Sequence, residues 1–174
     1  MLRTPLATLL LLASALLLVA CSHRDNVSYK DNVQKALEQA DLKDVTVSED
    51  QDKNTITLGG KLHSTDAKAK AGDVAKSVAI TRTIANEISV QPVGSESEAK
   101  DVASNLDDAI EKNYKAALIS NGLEKQHISF KAKNGVLTLT GSVRNANQRQ
   151  HAEKLAKGIP NVQQVLNQIE VRRD

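Results

Sequence analysis

The chain is poor in aromatic side chains: among its 174 residues there is no tryptophan, and the aromatic residues are Phe130, Tyr29 and Tyr114. A core must therefore be built from Val, Ile, Leu and Ala, and it stays small unless separate units pack together. The stacking platform that single-stranded nucleic acids require is also missing. The formal net charge is only +2, from 23 basic and 21 acidic residues. We therefore expect no nucleic-acid partner.

The sequence contains no recognisable catalytic or metal-binding constellation. It has no glycine-rich phosphate loop, no nucleophile elbow and no His-Glu zinc helix. Asp107 and Asp108 are interpreted as solvated acids in the first turn of a helix. The histidines are scattered without ligand spacing: His23, His63, His127 and His151. We predict no enzymatic activity, no cofactor and no metal.

Residues 1–20 have the pattern of an export signal, with Arg3 near the start and an almost unbroken apolar run from Leu6 to Ala20. The run is shorter than the ~20 apolar residues that a membrane span needs. A permanent transmembrane helix is therefore the weaker interpretation.

The signal ends in Leu18-Val19-Ala20-Cys21, which contains the only cysteine. This tetrapeptide resembles the lipobox of bacterial lipoproteins, in which the thiol receives diacylglycerol and the signal is cut before it. An ordinary signal peptide beside a stray thiol is the alternative. By the same resemblance, Ser22 stands where an inner-membrane retention signal tends to have Asp, which implies an outer-membrane position facing the periplasm. We predict a signal peptide over 1–20, lipid attachment at Cys21 and a tether over 21–28.

An internal repeat divides the rest of the chain. Residues 135–171 lie without a gap on residues 54–90 when shifted by 81 positions, with nine identities. A repeat of this length indicates two units of the same fold. We place them at 29–91 and 105–174, joined by a turn-rich linker over 92–104.

Hydrophobic periodicity gives each unit the order helix, strand, strand, helix, strand. In the first unit the predicted elements are a helix over 29–40 capped by Ser28, strands over 45–47 and 55–58, a helix over 65–78 and a strand over 83–90. In the second, they are a helix capped at Ser104 and stopped at 121–122, a hairpin turning at 134–135, a helix over 146–157 and a last strand.

Four repeated residues are interpreted as structural. Gly60 and Gly141 close the second strand of each unit, where a positive φ, close helix packing or a plain turn would each favour glycine. Asn86 and Asn167 fall in phase with the inward residues of the closing strand. A buried amide needs its hydrogen bonds satisfied, so we predict a structural role for both.

The second copy, from Leu106 to Val171, resembles the BON domain. The resemblance rests on the strand GVLTLTGSV (135–143), the helix end AKGIPNV (156–162) and the closing strand VLNQIEV (165–171). The first copy departs from this pattern, because Ala79-Ile80-Thr81 replaces the Pro-Asn-Val turn and Gly59 stands for Thr140. We therefore expect the first copy to be a packing partner more than a binder.

A lipoprotein signal followed by two such copies resembles the dual-BON outer-membrane lipoproteins. The resemblance implies an α+β fold of two tandem αββαβ units, each a three-stranded mixed sheet with two helices on one face. It also implies a non-enzymatic envelope protein associated with anionic phospholipid, outer-membrane integrity and the stress response.

Charge supplies the positional evidence for a binding site. Residues 29–91 carry 9 basic and 10 acidic side chains, whereas residues 105–174 carry 11 and 7. Each basic residue near an anionic membrane contributes on the order of 1 kcal/mol. Ordinary solubilising residues are the alternative interpretation. The candidate phospholipid-binding residues lie on the predicted helices of the second copy: Lys112, Lys115, Arg149, Lys154 and Lys157.

Two functions compete on this basis. The first is a lipid-anchored envelope protein whose second copy binds anionic phospholipid. The second is an adaptor that meets envelope proteins through an exposed sheet edge or face.

Overall fold

The computed structural model describes residues 28–172. The expected signal peptide, Cys21 and nearly all of the tether lie outside the described residues, as do Arg173 and Asp174. The first unit contains, in chain order, α1 (Lys30–Gln39), β1 (Val45–Asp50), β2 (Thr55–Leu62), α2 (Thr65–Val78), β3 (Thr83–Asn86) and β4 (Ser89–Val90). The second contains α3 (Glu96–Ser120), β5 (His127–Lys133), β6 (Val136–Val143), α4 (Ala146–Lys157), β7 (Gln164–Asn167) and β8 (Glu170–Val171).

Each unit has one mixed sheet. In the first, β1 is antiparallel to β2, and β3 is parallel to β2. The predicted closing strand is interrupted at Glu87–Ile88, and its second part, β4, pairs with the far end of β2. Strands β5 to β8 repeat this arrangement. The predicted α+β class with two αββαβ units is confirmed. The third strand of each sheet is formed by two short segments, β3 and β4 in the first unit and β7 and β8 in the second.

The two helices of each unit bury their apolar stripes against the sheet. In the second unit, Tyr114 is fully buried, and its ring meets Phe130 edge-on at 5.1 Å between centroids. Its hydroxyl donates to the Ala152 carbonyl at 3.1 Å, and burial raises the pKa of Tyr114. The fully buried alanines of α2 and α4, such as Ala71 and Ala156, let these helices lie close to the strands. The cores are therefore small and largely aliphatic.

The cap predicted at Ser104 is wrong. Helix α3 begins at Glu96 and continues to Ser120, so the second part of the expected linker is helical. Glu96 and Glu98 favour the positive end of the helix dipole, and Glu96 also accepts a hydrogen bond from the Gly94 N–H at 2.9 Å. These interactions start the helix earlier than the Ser104 signal indicates.

The cap predicted for α1 is also wrong, because Ser28 donates its hydroxyl to Glu49 of β1, at 2.7 Å. The same carboxylate oxygen accepts the N–H groups of Tyr29 at 3.1 Å and Lys30 at 3.3 Å. Its other oxygen lies 3.2 Å from Arg82, in a pair whose side chains are at most 8% exposed. Burial raises the pKa of Glu49, but these hydrogen bonds and Arg82 outweigh it and hold the pKa below its usual value.

Gly60 and Gly141 lie inside the second strands, which continue to Leu62 and Val143. Their φ angles are +99° and +97°. A Cβ on Gly60 would overlap the carbonyl oxygen of Asp44, and one on Gly141 that of His127. The close neighbour is the backbone before or at the start of the partner strand, not the following helix. Only glycine fits both the angle and the space.

The two units pack on each other through a largely polar contact. Ala85, Val136 and Leu166 form a small buried cluster at the junction. The β5–β6 turn reaches the break in the first sheet, where Asn134 donates its side-chain amide to the Glu87 carbonyl at 2.8 Å. That turn has positive φ at Asn134 and at the following glycine, as predicted for an Asn-Gly hairpin.

Candidate lipid-binding surface

Helix α3 carries a stripe of exposed cationic and apolar side chains. Lys112, Lys115 and Ile119 stand at spacings of three and four residues, which places them on one face of the helix. Both lysines are exposed, and Ile119 is 55% exposed. Such a stripe can bind a lipid headgroup layer, because the lysines attract anionic headgroups and the isoleucine can be buried among them.

Helix α4 carries the other three candidates, in two different settings. Arg149 donates to the Asn167 carbonyl at 3.4 Å, and Lys157 forms an ion pair with Glu153 at 2.6 Å. Hydrogen bonds from Asn167 and Lys157 hold the pKa of Glu153 below its usual value, although burial opposes them. Lys154 is exposed on the outer side of the helix. Arg149 and Lys157 are therefore partly engaged within the protein.

The five candidates do not converge on one point. Glu111 accepts the Ala132 N–H at 2.9 Å, so this side of α3 faces β5. Lys115 lies one helical turn after Glu111 on the same side. Arg149 faces β7, and β5 and β7 are opposite edges of the sheet. The cations are spread over the outer surface of the helix layer.

Two other lysines of the second unit are held in ion pairs. Lys131 lies 2.9 Å from Glu111, and Lys133 lies 2.9 Å from Glu87 of the first unit. Burial raises the pKa of Glu111, but the Ala132 N–H and Lys131 outweigh this and lower it. The hydrogen bond to Glu111 in turn raises the pKa of Lys131. Part of the charge excess seen in the sequence is therefore neutralised locally.

The chain was compared with models of known protein families, and the model of the BON domain matches residues 26–92 and 106–173. The chain belongs to the BON domain family. Both halves of the repeat are BON units, and they include nearly all of the described residues.

The chain is similar to the Osmotically-inducible protein Y of Escherichia coli (strain K12) over most of its length. The two are 27% identical over 150 residues, which cover 85% of this chain and 73% of that protein. Among solved structures, CdsD, a structural protein of the type III secretion system of Chlamydia trachomatis, is 10% identical, covers 83% of this chain and 92% of its own, and has a TM-score of 0.38. A TM-score this low does not establish a shared arrangement.

A groove of about 420 Å³ lies between the two BON units, with Lys68 and Asp107 in its wall. Lys68 donates to the Asn134 carbonyl at 3.0 Å. Burial lowers the pKa of Lys68, and the Asp107 carboxylate opposes this shift. Asp107 accepts the N–H groups of Asn134 at 2.7 Å and Gly135 at 3.0 Å. The expectation that Asp107 is a solvated first-turn acid is wrong, because α3 starts eleven residues earlier and Asp107 binds the β5–β6 turn.

Within residues 28–172, no three His, Cys, Asp or Glu side chains are grouped so that they could hold a metal ion. No helix in that range is long and apolar enough to span a membrane.

Proposed function

We propose that the protein is a lipid-anchored envelope protein whose second BON unit contacts anionic phospholipid through the outer surface of α3 and α4. The observation that carries the proposal is the α3 stripe of Lys112, Lys115 and Ile119. Lys154 adds an exposed cation on α4. A dispersed surface of this kind suits a membrane better than a single bound headgroup.

The lipobox pattern at Cys21 supports the anchor, and an acylated N-terminus would hold the units near an outer-membrane surface facing the periplasm. At that effective concentration, a few weak ionic contacts suffice. The name of the Escherichia coli relative records induction by osmotic conditions. This supports a role under osmotic stress, and the non-enzymatic contribution to outer-membrane integrity is part of the proposal.

Vesicle co-sedimentation of residues 22–174 tests the contact. We expect binding to vesicles with anionic lipid and little to zwitterionic ones. Replacing Lys112, Lys115 and Lys154 by Gln should weaken binding by about tenfold or more, since each contributes on the order of 1 kcal/mol.

The matched control replaces three exposed lysines of the first unit, Lys35, Lys43 and Lys53, by Gln. It changes the net charge equally and should leave binding within about twofold of wild type. Equal loss in both variants, or no preference for anionic vesicles, would overturn the proposal. Cross-linked protein partners that survive the first set of substitutions would instead favour the adaptor function.

Labelling cells with radioactive palmitate tests the anchor separately. The wild-type chain should be labelled and sediment with outer membranes, whereas Cys21→Ser should lose the label. Unlabelled wild-type protein would contradict the anchor but not the vesicle contact.

A further inference from the structure

Gln164, the first residue of β7, reaches from the second unit to the edge of the first sheet. Its Nε2 donates to the Ile84 carbonyl at 2.6 Å, and its Oε1 accepts the Asn86 N–H at 3.4 Å. Both partners lie in β3, the outermost strand in the order β1-β2-β3. The contact joins residues 78 and 80 positions apart in the chain.

These two backbone groups are the pair that one residue of a parallel neighbouring strand would take. In a parallel ladder, a residue opposite Ala85 donates to the residue before it and accepts from the residue after it. A side-chain amide has the same donor and acceptor as a peptide group. Gln164 therefore occupies one rung of the ladder that an added strand would form.

The contact is suited to reversible closure. The apolar cluster at the junction contains only Ala85, Val136 and Leu166, so separation exposes little apolar surface. Several further contacts across the junction are polar, such as the hydrogen bond from Gln168 Nε2 to Thr55 Oγ1 at 3.3 Å. Water can replace such bonds at modest cost.

We propose that the edge of β3 is a strand-addition site for an extended polypeptide, and that the second BON unit closes it through Gln164. The added segment would run parallel to β3, and an apolar side chain opposite Ala85 would take the place of Leu166. Main-chain hydrogen bonds would supply the affinity. This site is separate from the lipid-binding surface and needs no membrane.

The test uses residues 22–174 with Gln164→Glu, whose carboxylate cannot donate to Ile84, and with the shorter Gln164→Thr. Gln150→Glu is the control, because it makes the same charge change at an exposed position of α4. Hydrogen exchange is measured at the Asn86 amide. We expect at least tenfold faster exchange in both Gln164 variants and no change in the control.

A fluorescent peptide with the sequence of residues 53–61 serves as the probe, since β2 already pairs in parallel with the inner edge of β3. It should bind the Gln164 variants at least tenfold more tightly than wild type and the control, and it should restore slow exchange at Asn86. Unchanged exchange, or fast exchange without peptide binding, would overturn the proposal. Unfolding of both variants would do so too, because a releasable contact cannot be required for folding.

Discussion

Asn86 and Asn167 make the same hydrogen bond in the two units. Each donates its side-chain amide to a helix carbonyl 18 residues earlier, Asn86 to Lys68 at 2.7 Å and Asn167 to Arg149 at 3.3 Å. Each asparagine therefore connects the end of a strand, β3 or β7, to the first two turns of the preceding helix, α2 or α4. Asn167 also donates to Glu153 at 2.9 Å, where the first unit has Gly72.

Replacing Asn86 by Asp should destabilise the protein by about 1–3 kcal/mol, because a carboxylate cannot donate to the Lys68 carbonyl and would instead face it with negative charge in a partly buried position. Urea unfolding at neutral pH measures this. Asn105→Asp, on the exposed side of α3, is the control and should change stability by less than about 0.5 kcal/mol. Equal midpoints for the two variants would show that the Asn86 bond contributes nothing.

Replacing Gly141 by Ala should cost at least about 3 kcal/mol, since positive φ is compounded by overlap with the His127 carbonyl. A substitution at Gly94 distinguishes the cost of the positive φ from the cost of the overlap, because Gly94 has φ +83° but nothing within 4 Å of an added Cβ. Gly94→Ala should therefore cost only about 1 kcal/mol. Thermal unfolding of both variants provides the comparison, and similar losses would mean that the overlap is relieved by movement of β5.

Glu49 should make the protein sensitive to acid. The pKa of Glu49 in the folded protein lies below its usual value. Its contribution to the free energy of unfolding is therefore fully present above the unfolded-state pKa of about 4.3, and it is lost as the pH falls through the lower folded-state pKa. Glu49→Gln should cost about 3 kcal/mol at pH 7, because it removes the negative charge that faces Arg82 in a pair whose side chains are at most 8% exposed. The difference from wild type should shrink below pH 4.

Urea midpoints measured from pH 7 down to pH 3 test this dependence. Asp52→Asn, in the exposed β1–β2 turn, is the control and should run parallel to wild type. A Glu49→Gln penalty that stays constant across the range would contradict the assignment.

Tyr114→Phe should destabilise the second unit by about 1 kcal/mol, because it removes the bond to the Ala152 carbonyl but keeps the edge-on contact with Phe130. Tyr114→Ala should cost about 3–5 kcal/mol, since it leaves a cavity in a small core. Calorimetry of the two variants measures the difference. Equal losses would mean that the hydroxyl, not the ring, provides the stability.

The elements that carry the candidate site were predictable because they are encoded locally. Helical spacing predicts an inward stripe on α3, and therefore an outer side that carries Lys112; the stripe consists of Leu106, Ile110, Tyr114, Ala117 and Leu118. Ile110, Tyr114 and Leu118 are buried as predicted, whereas Leu106 is 41% exposed. The ion pairs formed by the charged side chains of the second unit were not predictable from the sequence. Glu111 and Lys131 lie 20 residues apart on different elements, and no local pattern relates them.

Two units of one fold and the order of their elements are predictable from the amino-acid sequence, because hydrophobic period and turn residues act over a few neighbouring positions. Three polar contacts are visible in the folded chain but not in the sequence pattern: Glu49 caps α1, Asp107 binds the β5–β6 turn and Gln164 closes the edge of β3. Each of these polar side chains bonds to partners 19 to 80 residues away along the chain. Such pairings follow from how packed elements and units dock, which periodicity along the chain does not specify.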